Sequence, residues 1–177
     1  MIGDRWGVTD AEVARHYACD DVVPDPALQA WRGVTVAVPP EQVWPWVGQV
    51  RVAPYSYDWV DNLGRRSPAT LQGLPEPVPG EPFTRCAGRP FGEIVSVTPG
   101  ERLTGRILGA VMSYELVLDA TDFAADADAD GQPGTRLLLK VVMARHRWLA
   151  PAVAVGDLVM ARRQLLNLAR LAERHPA

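Results

Sequence analysis

Histidine, cysteine and lysine are scarce in this chain: three, two and one respectively in 177 residues. Three histidines leave little for a metal site. His16-x-x-Cys19-Asp20 is the single local cluster of ligand types, while His146 and His175 stand alone, so no metal is expected. Two cysteines, Cys19 and Cys86, are too few for a disulfide framework, and Met-Ile-Gly-Asp-Arg-Trp has neither the apolar core nor the cleavage site of a secretory signal. A cytosolic protein with reduced thiols is expected. No apolar run reaches the roughly 18 residues of a membrane span. Ala150 to Val155 is the most apolar terminal stretch, and Asp157 and Arg162-Arg163 soon interrupt it. The one lysine is Lys140, the remaining basic residues are arginines, and the formal charge is -3. With Arg65-Arg66 and Arg162-Arg163 as the longest basic runs, there is no field to gather nucleic acid.

Motifs are missing too. The chain has no Gly-x-Ser-x-Gly elbow, phosphate-binding glycine loop or dinucleotide fingerprint, so no cofactor is expected. Asp126-Ala-Asp128-Ala-Asp130-Gly131 imitates the start of a calcium loop, but Leu137 stands where the bidentate glutamate is needed. A solvated acidic loop is the simpler reading.

What is present fits one domain, since a chain of this size supports one well-buried core. Thr9-Asp-Ala-Glu12 has capping-box spacing and predicts a helix over 10 to 18, part of an N-terminal helical extension over 1 to 29. Trp31 to Val38 predicts a strand with Val34, Val36 and Val38 on one face. Pro39-Pro40-Glu41 starts a helix that Pro45 should shorten or kink. Pro68, Pro75, Pro77, Pro79 and Pro82 predict a stiff extended connection able to cover a pocket mouth. Strands are predicted at 83 to 89, 91 to 98, 102 to 109, 111 to 119 and 135 to 145, the last after a loop over 122 to 133. Apolar positions 158, 161, 165, 168 and 172 predict a terminal helix over 152 to 174 with one buried face.

That order, with Trp31 to Val47 running from a strand into Pro-Pro-Glu-Gln-Val-Trp-Pro-Trp-Val, resembles the opening of the START/SRPBCC superfamily. This group contains birch-pollen-allergen-like proteins and polyketide cyclases. Phe91-Gly-Glu-Ile-Val-Ser-Val-Thr-Pro-Gly-Glu-Arg-Leu-Thr104 is similar to its recurrent hairpin, and Tyr55 to Pro68 is similar to a segment of its bacterial members. The resemblance covers residues 30 to 174. It implies an α+β helix-grip fold, in which a curved antiparallel sheet wraps a long C-terminal helix and leaves an internal apolar cavity. The superfamily has no common catalytic motif, so no catalytic residue is assigned.

Such a cavity would take a small apolar or aromatic molecule. Alternation turns Met112, Tyr114, Leu116 and Leu118 to one face of their strand, and Leu137, Leu139, Val141 and Met143 to one face of theirs. Met160 joins them from the helix. Methionines and aromatics suit irregular apolar ligands, although the same residues also simply fill cores. Tyr57, Trp59, Asp61 and Asn62 offer polar groups beside aromatic surface to orient a ligand. Alternatively, Asp58 or Asp61 pairs with Arg65 or Arg66 while Asn62 caps a turn. Arg106, alternating with Arg102 and Thr104, belongs to an outer polar face on periodicity. Three functions follow as expectations: a carrier of an apolar metabolite, a cyclase or dehydratase using Asp58, Asp61 or Tyr57 with Arg106, and an interaction module with a vestigial pocket.

Overall fold

The structure, a computed structural model, describes residues 3–118, 134–144 and 150–175, with side chains of the last segment from residue 159. The chain opens with strand β1 (Arg5–Trp6), helical turns α1 (Asp10–Val13) and α2 (Ala18–Val22), strand β2 (Leu28–Val36) and helix α3 (Pro40–Gly48). A 3-10 turn over Gln49–Arg51 and a helical turn α4 (Asp58–Asp61) lead to strands β3 (Thr84–Cys86), β4 (Arg89–Phe91), β5 (Glu93–Thr98) and β6 (Arg102–Ile107). Strands β7 (Ala110–Leu118) and β8 (Thr135–Met143) precede helix α5 (Ala150–Arg174).

Six strands form one sheet in the order β1-β2-β8-β7-β6-β5, and β3 and β4 form a separate hairpin. The expectation of an antiparallel sheet needs correction at one edge, because β1 runs parallel to β2. The other pairings are antiparallel, with Leu28 opposite Met143 and Ala110 opposite Met143 setting the register around β8. Strand β8 therefore lies in the middle, and its sequence reflects this. Leu137, Leu138, Leu139, Val141 and Val142 are all buried, because both faces of a central strand are covered.

One face packs on helices α3 and α5. Leu137, Leu139 and Val141 meet Leu165, Leu168, Ala169 and Ala172 of α5 and Val43, Trp46 and Val47 of α3 in a single cluster with Phe83 and Tyr114. Each fully buried side chain of this kind stabilises the fold by about 1.5–3 kcal/mol relative to exposure. The helical stripe read from sequence is the buried one, apart from Leu158, which lies outside the described side chains. Arg162, Arg163, Arg170, Glu173 and Arg174 form the exposed face.

The opposite face is covered by the N-terminal segment. Tyr17 and Cys19 pack on Val111, Leu138 and Val142. Two cationic side chains on this face find carboxylates under the cover: Lys140 Nζ meets Asp20 Oδ1 at 2.5 Å, and Arg136 holds Glu12 at 2.7 Å. Burial alone would raise the Glu12 carboxyl, but the Arg136 guanidinium and the Thr9 amide outweigh it and hold it below the usual range. The Thr9–Glu12 capping box forms as its spacing indicates. The predicted helix over 10 to 18 is nevertheless two short turns. Tyr17 takes extended backbone and sends its hydroxyl back to the Glu12 carbonyl at 2.8 Å, and Asp20 caps the Tyr17 amide of the second turn.

Pro45 lies inside α3, where it lacks the N–H owed to the Glu41 carbonyl, and the helix soon passes into the 3-10 turn. The predicted strand over 83 to 89 is instead β3 with the turn into β4, because Ala87 and Gly88 both have positive φ, at 53° and 81°. Such a pair of residues makes a tight two-residue hairpin. Outer strand β5 is bulged between Ile94 and Ser96 and is joined by the preceding loop, with Gly80 N donating to Ile94 O and Ile94 N donating to Glu81 O. The acidic loop over 122 to 133 and the calcium-like run within it lie outside the described residues.

Candidate functional site

The helix side of the sheet is densely packed toward the C-terminus of α5. Toward the C-terminus of α5, Leu165, Leu168 and Ala172 are fully buried against Val36 and Leu137, and Glu173 accepts the Ala37 amide at 3.0 Å. Tyr114 and Leu139 lie in this dense core, and the Tyr114 hydroxyl donates to Gln164 Oε1 at 2.5 Å. Phe83 stands over Gly105 of β6, where a side chain would otherwise project, with its ring centroid 6.3 Å from that of Tyr114. Toward the other end, Met112, Met143 and Met160 are all half-buried. Met143 packs on Leu28 and Ala30, and Met112 packs on the edge of the main core. Met160 is one helical turn before Gln164, as Met112 is one inward position before Tyr114.

The segment from Pro54 to Ser67 is fastened to α5. Gln164 donates to the Pro54 carbonyl at 2.5 Å, and Asn167 donates to the Tyr55 carbonyl at 2.8 Å. Tyr55 is buried with φ 57°, and its hydroxyl accepts from Gln49 at 2.5 Å. Burial lifts its phenol to about 12 despite that bond. The half-buried Tyr57 ring lies 5.8 Å from the Arg163 guanidinium, close enough for a cation–π contact. Asp58 ties the loop shut by accepting from the Ser67 amide at 2.9 Å and hydroxyl at 2.6 Å.

The four polar or aromatic residues singled out in this segment have different environments. Asn62 is buried and spent on backbone: it donates to the Arg65 carbonyl at 2.7 Å and accepts from the Ala87 amide at 3.0 Å. Its role is the turn-capping one. Trp59 is 76% exposed. Asp61 accepts from the Ser56 hydroxyl, yet its Oδ1 is buried with no hydrogen-bond partner among the described residues. Burial raises its pKa. Arg106 is half-exposed and 3.9 Å from Glu93 across the strand pair, so it belongs to the outer polar face, as its periodicity indicates.

The proline-rich connection is tied by side chains to α3 and the following turn. Trp44 donates to Glu76 at 3.0 Å, Gln49 accepts from the Gln72 amide at 2.7 Å, and Arg51 donates to the Pro75 carbonyl and to Glu81. Between them lies a cleft of about 140 Å³ lined by Trp44, Leu71, Leu74 and Pro75. That is below the roughly 300 Å³ at which ligand sites begin.

Sequence reading missed Phe83, Gln164 and Asn167. Gln164 and Asn167 flank the apolar stripe at i, i+3, so two polar residues on a buried edge were the available signal. Among the described residues no group of three or more histidine, cysteine or acidic side chains could hold a metal. His16 pairs with Asp21, Asp20 pairs with Lys140, and Cys19 points at the Lys140 carbonyl. Both cysteines are free thiols. No described helix is long and apolar enough to cross a membrane.

These features define an α+β protein in which a mixed six-stranded sheet packs on a C-terminal helix. No family model and no curated protein matches the chain. Among solved structures it is similar to protein MLL2253 from Mesorhizobium loti, at 15% identity and TM-score 0.52, over 84% of this chain and 99% of that one. It is also similar to protein NE0264 from Nitrosomonas europaea, at 12% identity and TM-score 0.50, over 84% and 96%. At these identities the likeness extends to the fold alone.

Proposed function

We propose that this chain is a cytosolic helix-grip protein of the START/SRPBCC type that binds a small apolar or aromatic molecule between its sheet and α5. The observation that carries the reading is the half-burial of three methionines, Met112, Met143 and Met160, on β7, β8 and α5. Leucines and alanines seal one end of α5 completely, whereas Met112, Met143 and Met160 remain half-buried toward the other. Thioethers adapt to irregular apolar shapes, and partly accessible ones leave area to bury. The Tyr114–Gln164 bond would form a polar floor, with Tyr57 and Asp61 as orienting groups.

An acid–base role has one supporting observation, the Asp61 carboxyl, raised by burial and with one oxygen, Oδ1, left without a hydrogen bond among the described residues, since Asp58 is engaged with Ser67 and Arg106 faces outward. The carrier reading is preferred because it needs no second catalytic group. Native mass spectrometry of protein purified from its own host, with titration of an apolar fluorescent probe, tests it. A retained adduct or saturable probe uptake, weakened about tenfold by Met112→Trp, supports the proposal. Absence of both in the unaltered protein refutes it.

A further inference from the structure

We infer that the α4 turn and the β3–β4 hairpin together form a docking point for an anionic lipid surface. Trp59, Val60 and Leu63 are 76%, 48% and 79% exposed within five residues. Leu63 is held in the left-handed region at φ 49°, where glycine or asparagine would be easier, so neither burial nor backbone preference accounts for a leucine there. The turn is rigid. Asn62 bridges the Arg65 carbonyl and the Ala87 amide, and Asp58 holds Ser67. The apolar tip is therefore fixed outward.

Four exposed arginines belong to this turn and hairpin, Arg85 and Arg89 on opposite faces of the hairpin. Arg65 and Arg66 follow the turn, and Arg85 and Arg89 lie on the hairpin that Asn62 joins to it, all four exposed. The Arg65 guanidinium lies against Gly88, and Arg85 donates to the Gly88 carbonyl at 3.2 Å. Asp58 and Asp61 are half-buried and turned to Ser67 and Ser56. The whole chain carries -3, so removing these four arginines leaves -7 for the remainder. An anionic surface would repel the rest of the molecule and attract this patch.

The shape selects the occupant. A peptide side chain needs a concavity to fill, and residues three-quarters exposed form a protrusion. A protrusion with tryptophan and leucine at its tip and arginines behind suits the headgroup layer, where indole rings settle and guanidinium groups hold phosphates. Each arginine near an anionic leaflet strengthens binding about fivefold at physiological salt.

Sedimentation with vesicles of phosphatidylcholine alone and of phosphatidylcholine mixed with phosphatidylglycerol tests the inference. The protein should bind only the mixed vesicles and release in high salt. Trp59→Ala should weaken binding about tenfold and Arg85→Ala about fivefold, with melting curves unchanged because both side chains are exposed. Failure to bind phosphatidylglycerol vesicles overturns the inference, as does equal binding by both variants. Sedimentation velocity showing a wild-type dimer that Trp59→Ala dissociates would also overturn it, by assigning the patch to a second copy.

Discussion

Replacing Gly105 by alanine should destabilise this protein, against the usual gain when a strand glycine acquires a side chain. A Cβ there would fall well inside the van der Waals envelope of three Phe83 ring carbons. Phe83 is 3% exposed and wedged toward Tyr114, so the ring cannot swing away freely. Overpacking of this kind costs about 1–3 kcal/mol, or a melting temperature lower by about 2–12 °C in a chain of this length. Phe83→Ala should cost about 3–5 kcal/mol through the void it leaves. In that background Gly105→Ala should become neutral or favourable, because its methyl group now enters empty space. A double-mutant cycle by urea denaturation, with m held constant, measures this coupling. Additive effects, or a Gly105→Ala change within about 0.5 kcal/mol of wild type, would show that Phe83 does not stand where described.

Removing Asp20 should cost about 3–5 kcal/mol by leaving the Lys140 ammonium buried against Tyr17 and Trp31 without its carboxylate. Lys140→Met should restore part of that loss in the double variant, read by urea denaturation. Glu115 is raised by burial, with Arg15 only partly offsetting it. Its charged form is therefore penalised in the fold as pH rises above 4.5, and Glu115→Gln should stabilise at neutral pH with the gain vanishing below that value. Glu12 has the opposite sign: its lowered pKa contributes stability above 4.5 that is lost as pH falls through the folded value, so Glu12→Gln should flatten the acid limb of a pH–stability profile. Asn62→Ala should cost about 2 kcal/mol by stranding the Arg65 carbonyl and the Ala87 amide. Hydrogen exchange should quicken at Ala87.

Much of the fold was legible where periodicity had a physical cause. The stripe Ala161, Leu165, Leu168, Ala172 and the alternation of Met112 and Tyr114 against Ser113 and Glu115 both describe one covered face and one other. Sequence could not reveal that the other face is covered as well. Lys140 and Arg136 resemble solvent-facing markers until Asp20 and Glu12 are brought to them from more than a hundred residues away. The same limit applied in the α4 segment. Aromatic and polar residues close in sequence were read as one group, yet Asn62 turns inward to backbone and Trp59 outward to solvent. Short-range geometry separated them, not composition. Phe83 escaped notice because its partner is a glycine, and an absent side chain carries no pattern.

The margins of the sheet have a bearing on how the molecule behaves among its own kind. At one border a strand of just two residues, β1, pairs with β2 at Trp31 and Arg32. At the other, Gly80 and Glu81 already occupy the Ile94 amide and carbonyl, and a bulge disturbs the run that follows. A visiting extended segment thus finds taken or misaligned positions at the β5 rim, which discourages stacking of copies there.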